Sequence, residues 1–245
     1  MTHGAAAQSD RRNEAIDPSS AVVRFGADAP LALEGGGMLG PWAIAFQTYG
    51  TLNADRSNAI LLCHALTGDQ HVANENPVTG TPGWWETMVG PGKPIDTDKY
   101  FVISADTLSN LNTKDPNTTT TGPASINPDT GKPYGMSFPI ISMRDSVRVH
   151  KALTDSLGVK KFKAVAGASG GSIQAMEWGA LYGDQVERVI HVIGPGFSIS
   201  PWVIGLLDLW VAPIKVDPKW NNGDYYGRDE PIDGAAQALK IVTLT

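Results

Sequence analysis

Ser169 stands in Gly167-Ala168-Ser169-Gly170-Gly171, directly after the apolar run Phe162-Lys163-Ala164-Val165-Ala166 and directly before Ser172-Ile173-Gln174-Ala175-Met176-Glu177-Trp178. This is G-x-S-x-G between a strand and a helix, the pattern of a nucleophile elbow. The turn is sharp and its serine strained, so its neighbours must be small enough for adjoining chain to pack against them. The helix that follows points its N-terminus at the serine, where free N–H groups and the positive end of the dipole stabilise an oxyanion. The same letters in a plain glycine-rich turn would leave the serine idle. The strand before and the helix after favour catalysis.

The pattern along the chain agrees with a sheet that can carry such an elbow. Trp42–Gly50 reads as an early strand ending in a turn. Ala59–Cys63 and Tyr100–Ser104 are short apolar strands of the kind covered on both faces of a parallel sheet. Residues 105–137, rich in Asn, Thr, Pro and Gly, read as a long loop. Phe138–Leu157 reads as a helix, with Ile140, Met143, Val147, Leu153 and Leu157 near one face and Gly158 as its stop. Phe162–Ala166 and Val186–Ile193 are the next strands. Strands alternating with helices indicate a doubly wound, mostly parallel α/β sheet. Three segments are expected: a flexible arm over 1–20, an α/β core over 21–197, and the start of a helical lid over 198–245.

A chain of 245 residues is long enough for one large α/β domain. A net charge of −6 gives no reason to expect nucleic acid as a partner. The single cysteine, Cys63, excludes an internal disulfide framework, suits a reducing, cytoplasmic setting, and reads as a buried core residue. No apolar segment is long enough to suggest a leader or a membrane anchor, and Asp208 and Pro213 interrupt the most apolar one. No metal-ligand cluster or nucleotide-binding glycine loop is apparent, so no cofactor is expected.

A serine nucleophile needs an oxyanion hole, a base and an orienting acid. One oxyanion donor is the backbone N–H of Gly170. The second is assigned to Leu66, in the loop His64-Ala65-Leu66-Thr67-Gly68-Asp69 that leaves the 59–63 strand. His64 is expected to be structural, bonding its own loop, because it precedes the serine. Of the five histidines (His3, His64, His71, His150 and His191) only His191 follows Ser169, and it lies mid-strand, where a core or sheet-face role is expected. The acid and base of such an architecture come from loops after later strands. The chain is therefore expected to be the N-terminal part of a longer protein, with both groups beyond Thr245 and that absent segment as a possible partner.

The chain resembles the homoserine O-acyltransferase family of the α/β-hydrolase superfamily. The residues that carry the resemblance are His64–Asp69, Thr81-Pro82-Gly83-Trp84-Trp85, Gly90-Pro91, Pro94-Ile95-Asp96-Thr97, Phe138–Asp145 and Gln174–Trp178. It implies the α/β-hydrolase fold, an acyl-serine at Ser169 with Leu66 and Gly170 as oxyanion donors, and dimers formed through lid helices.

Three departures separate this chain from the family's transferases. The family has Ser-Met-Gly-Gly at the elbow, and here it is Ser169-Gly170-Gly171-Ser172. A Gly-Gly-Cys-x-Gly-Ser-Thr-Gly-Pro stretch is replaced by Ser109-Asn110-Leu111 and a longer loop ending Thr120-Thr121-Gly122-Pro123. The lid arginine that grips the homoserine carboxylate aligns with Leu239, beside Lys240. Leucine cannot form the two bonds of a guanidinium to a carboxylate. The sequence looks like the branch of this family that hydrolyses acetate esters, with a small ester as substrate. Homoserine acyl transfer, with acetyl-CoA or succinyl-CoA as co-substrate, is the second reading. An inactive fragment acting only in dimerisation is the third.

Overall fold

The computed structural model describes residues 8–10, 20–77, 79–111, 120–196 and 198–244. It divides into two compact units, Met1–Thr121 with Ile140–Gly194, and Gly122–Pro139 with Pro195–Thr245.

The first unit begins with β1 (Gln8–Asp10) and β2 (Ser20–Phe25). Gln8–Asp10, inside the stretch expected as a loose arm, pairs antiparallel with β2; the rest of 1–19 lies outside the described residues. A two-residue ladder of β3 (Leu31–Ala32) and β4 (Met38–Leu39) leads into β5 (Trp42–Tyr49). β6 (Ala59–Cys63) follows, then the small parallel ladder of β7 (Val89–Gly90) and β8 (Ile95–Asp96), then β9 (Phe101–Ala105). α1 (Met143–Ser156), β10 (Phe162–Ala168), α2 (Gly170–Tyr182) and β11 (Val189–Val192) complete the unit.

The main sheet has the order β1-β2-β5-β9-β6-β10-β11. β9, β6, β10 and β11 run parallel, and the strands from β1 to β5 lead into them as an antiparallel meander. The architecture is the doubly wound, mostly parallel sheet expected from the alternation of strands and helices.

The continuous apolar run of β6 has a direct cause. Ala59, Leu61 and Cys63 pack on one face with Val147 of α1 and Ala175 and Trp178 of α2. Ile60 and Leu62 pack on the other with Val72, Ala73, Val89 and Val102. Both faces are covered, so neither parity is free to be polar. β11 ends the sheet, and Val189 and Ile190 on it are exposed.

Several boundaries differ from the sequence reading. β9 is shifted one residue, to Phe101–Ala105. β2 is a strand beyond those expected from the sequence. The helix expected from Phe138 starts only at Met143, because Ser142 caps it. The Ser142 hydroxyl accepts from Asp145 N at 3.1 Å while Ser142 N donates to the Asp145 carboxylate at 3.1 Å, a reciprocal capping box. Ser142→Ala is expected to lower stability by about 1 kcal/mol, read from the shift in urea midpoint at unchanged slope.

The second unit contains α3 (Pro201–Val216) and α4 (Ile232–Leu244). A Cβ on Gly234 would lie 2.5 Å from Pro213 O, so only glycine permits this approach of the two helices. Asp217 accepts from Gly234 N at 2.9 Å across the same junction. α3 leaves Trp202, Ile204 and Leu209 exposed, Trp202 at 77%. Residues 122–139, expected as part of a loop of the core, belong to this unit. The reason is a local packing: Gly135 approaches Tyr226, and Met136 fills the space beside Gly223.

Candidate active site

Ser169 occupies the single residue between β10 and α2, with φ 54° and ψ −119°. Positive φ is strained for any residue with a Cβ, and here the neighbours enforce it. A Cβ on Gly167 would lie 2.1 Å from Gly171 O, and one on Gly171 would lie 2.0 Å from Cys63 O. Two of the elbow's glycines are therefore obligatory. Gly170 is different: a Cβ there would meet only Leu66 N, at 3.8 Å. The backbones of the two expected oxyanion donors thus face each other at the start of α2. Ser169 itself is exposed.

The backbone of the elbow is tied on both sides. Ser169 N donates to Val192 O at 3.0 Å, and Ser169 O accepts from Ser172 N at 3.0 Å and Ser172 Oγ at 2.5 Å. Ser172 fills the position at which the family motif carries glycine, and its hydroxyl is spent on the nucleophile's own carbonyl.

The histidines separate clearly. His64 is buried, with Nδ1 2.6 Å from Ala65 O and Nε2 3.3 Å from Asp106 Oδ1. It serves its own loop, as expected, and neither ring nitrogen is turned outward. His71 is buried between Gln47 Oε1 at 3.1 Å and Asn74 O at 3.0 Å. His150 is fully buried, its Nε2 donating to Asp106 O at 2.8 Å, and burial pushes its pKa down to about 4. His191 was expected in the core or on a sheet face. It is the one exposed histidine among the described residues, on the last strand in the order of the described sheet. Its Nε2 and the Ser172 hydroxyl crowd the space a Cβ on Gly194 would take, at 2.8 Å and 1.6 Å. His3 lies outside the described residues.

Cys63 is buried, and burial pushes its thiol up to about 12, which suits the core role expected for it. Leu239 lies on α4 in the second unit, 62% exposed, with Lys240 following. Asp106 and Asn110 were missed as site residues. Sequence alone carries no signal for them: Asp106 directly follows β9 as His64 directly follows β6, and only the pairing of the two strands, parallel and in register at Cys63 and Ala105, brings them together.

Ser169 thus stands at the N-terminus of α2, where helix N–H groups and the dipole favour a developing negative charge. The model of the alpha/beta hydrolase fold matches residues 58–236. Homoserine O-acetyltransferase of Mesorhizobium japonicum is 47% identical over 234 residues, which cover 95% of this chain and 58% of that protein. Among solved structures, esterase E22 superposes with a TM-score of 0.86 at 44% identity, covering 92% of this chain and 60% of that one. Homoserine O-acetyltransferase from Bacillus anthracis gives 0.86 at 35% identity, covering 92% of this chain and 59% of that one. The chain spans about three fifths of the length of these proteins.

Proposed function

Since the chain belongs to the α/β-hydrolase fold family, with homoserine O-acetyltransferases as relatives, we propose that it hydrolyses small, acetate-type carboxylic esters through an acyl-serine at Ser169. Ser169 Oγ attacks the ester carbonyl, and the alcohol leaves with a proton. The N–H groups of Leu66 and Gly170 hold the oxyanion in both half-reactions. Water then attacks the acyl-serine and releases the acid. The proton transfers require a base, and the inward-turned His64, His71 and His150 are unsuited to it.

One observation supports hydrolysis over transfer to an amino acid. Leu239, which the resemblance aligns with the arginine that grips the acceptor carboxylate in the family's transferases, is an exposed leucine, and Lys240 is the only cation of α4. Losing one partner of such a pair removes roughly 2–5 kcal/mol of binding. An acyl-serine without a bound acceptor is left to water. The second reading is homoserine O-acetyl transfer from acetyl-CoA, which the names of the Mesorhizobium japonicum and Bacillus anthracis proteins favour.

Assay of the full-length protein with p-nitrophenyl acetate, with and without homoserine and acetyl-CoA, separates the two; the 245-residue chain by itself, without an acid and base after the nucleophile, is expected to be nearly inactive. Hydrolysis unaffected by homoserine is the expected result. Acetyl-homoserine formed faster than acetate would replace the first reading with the second. Leu239→Arg is expected to give a partial switch, with homoserine competing with water and some acetyl-homoserine appearing by mass spectrometry. The switch is partial because the new guanidinium is added to an apolar helix face. A folded Leu239→Arg protein whose rate and products ignore homoserine would remove Leu239 as the determinant.

A further inference from the structure

We propose that Asp106 is a positioning residue, which holds the loop carrying the Leu66 N–H by engaging that loop at its first residue and, through Asn110, at Gly68. The proposal deepens the hydrolase reading of the elbow and rests on it for its kinetic part alone.

The placement follows from topology. β6 and β9 are parallel neighbours paired at Cys63 and Ala105, so the next residues, His64 and Asp106, leave the sheet side by side. Asp106 is fully buried. Its Oδ1 stands 3.3 Å from His64 Nε2, accepts from Thr107 N at 2.8 Å, and accepts from Asn110 Nδ2. Asn110 Nδ2 also donates to Gly68 O at 3.0 Å. Within the loop, Gly68 N donates to Ala65 O at 3.1 Å, and the same carbonyl faces His64 Nδ1 at 2.6 Å. Leu66 lies between the two attachments.

Asp106 is itself immobilised. Its N donates to Ala45 O at 2.9 Å, and its carbonyl accepts from His150 Nε2 at 2.8 Å. A Cβ on Gly68 would lie 2.7 Å from His64 Cβ, so the loop folds tightly over the imidazole. The oxyanion donor is thus referred back to three elements: β5 through Ala45, β9 through Asp106, and α1 through His150. Placement of that donor matters because its bond strengthens only as the oxyanion forms.

The charges facing His64 come from Asp69 on its own loop, Asp106 after β9, and His150 on α1. Burial disfavours the imidazolium, but Asp106, the Ala65 carbonyl and Asp69 together raise its pKa above 6.5. His150 stays neutral above about 4. A raised folded-state pKa means the His64–Asp106 attachment is complete below pH 6.5 and weakens as pH rises through the raised value.

The test is Asp106→Asn in the full-length protein, a change of charge at nearly constant shape. Three readouts are expected to move. The His64 ring titration, followed by NMR, drops to a lower midpoint than in the unaltered protein. Amide exchange at Gly68 rises about tenfold or more, while amides of β6 and β10 keep their protection. Hydrolysis of p-nitrophenyl acetate loses about 10- to 100-fold in kcat, with KM within about threefold. A folded Asp106→Asn protein with unchanged His64 titration and unchanged Gly68 exchange would overturn the proposal. So would a fall in protection spread evenly over the sheet, which marks a structural role only. If Asp106→Asn does not fold, Asn110→Ala carries the same expectation for Gly68 exchange, with β6 and β10 unchanged. Absence of ester turnover in the unaltered full-length protein, with the segment expected beyond Thr245 in place, would count against the hydrolase reading, and the titration and exchange results would still decide the role of Asp106.

Discussion

Ser169→Ala is expected to lower ester hydrolysis by at least about a thousandfold while leaving the unfolding midpoint unchanged. The catalytic loss follows from the way a nucleophile and its partners act as a unit, so that removing one forfeits the whole. The unchanged stability follows from the geometry of the elbow. Both residues carry a Cβ, so the strain at φ 54° is the same in either. The bonds that tie the elbow, from Ser169 N to Val192 O and from Ser172 to Ser169 O, involve backbone atoms of residue 169 and survive the change. Steady-state rates with p-nitrophenyl acetate and a urea titration on the same preparation test both halves. More than a tenth of the original rate in the variant would place the nucleophile elsewhere.

Gly171→Ala is expected to be among the most destabilising single substitutions in the chain, at about 3 kcal/mol or more. The new methyl would sit 2.0 Å from Cys63 O and 2.9 Å from His64 O. Both are backbone atoms at the end of β6, in the middle of the sheet, and neither can turn aside as a side chain would. Relief requires α2 to move off β6, which opens the core around Trp178 and Ala175. Gly170→Ala is the matched control. Its methyl would find only an ordinary contact with Leu66 N at 3.8 Å. Alanine is also the better helix former, so this variant is expected to match the parent or gain up to about 1 kcal/mol. Urea midpoints of the two variants, measured side by side, check the contrast. Equal destabilisation by both would show that the elbow's glycines act through propensity rather than close approach.

Much of this was legible in the chain alone, because it is written at short range. The elbow is a strand, a turn of small residues and a helix within about twenty positions. β5, β6, β9, β10 and β11 announced themselves as apolar runs bounded by turn residues. Their alternation with helices indicated a parallel sheet, and the His64–Asp69 segment was visible as the loop that leaves β6.

What the chain could not display is which distant segments meet. β6 has β9 and β10 as neighbours, separated from it by about forty and a hundred residues of sequence. Only that adjacency sets Asp106 3.3 Å from the His64 imidazole. Gly170 and Gly171 look alike in sequence, and only the position of Cys63 O makes one obligatory and the other free. The assignment of 122–139 to the second unit depends on Met136 finding Gly223. Propensity, periodicity and capping act over a few residues and leave a local pattern. Close approach, burial and ion pairing act between residues brought together by the sheet, and they are decided only when the strands take their order.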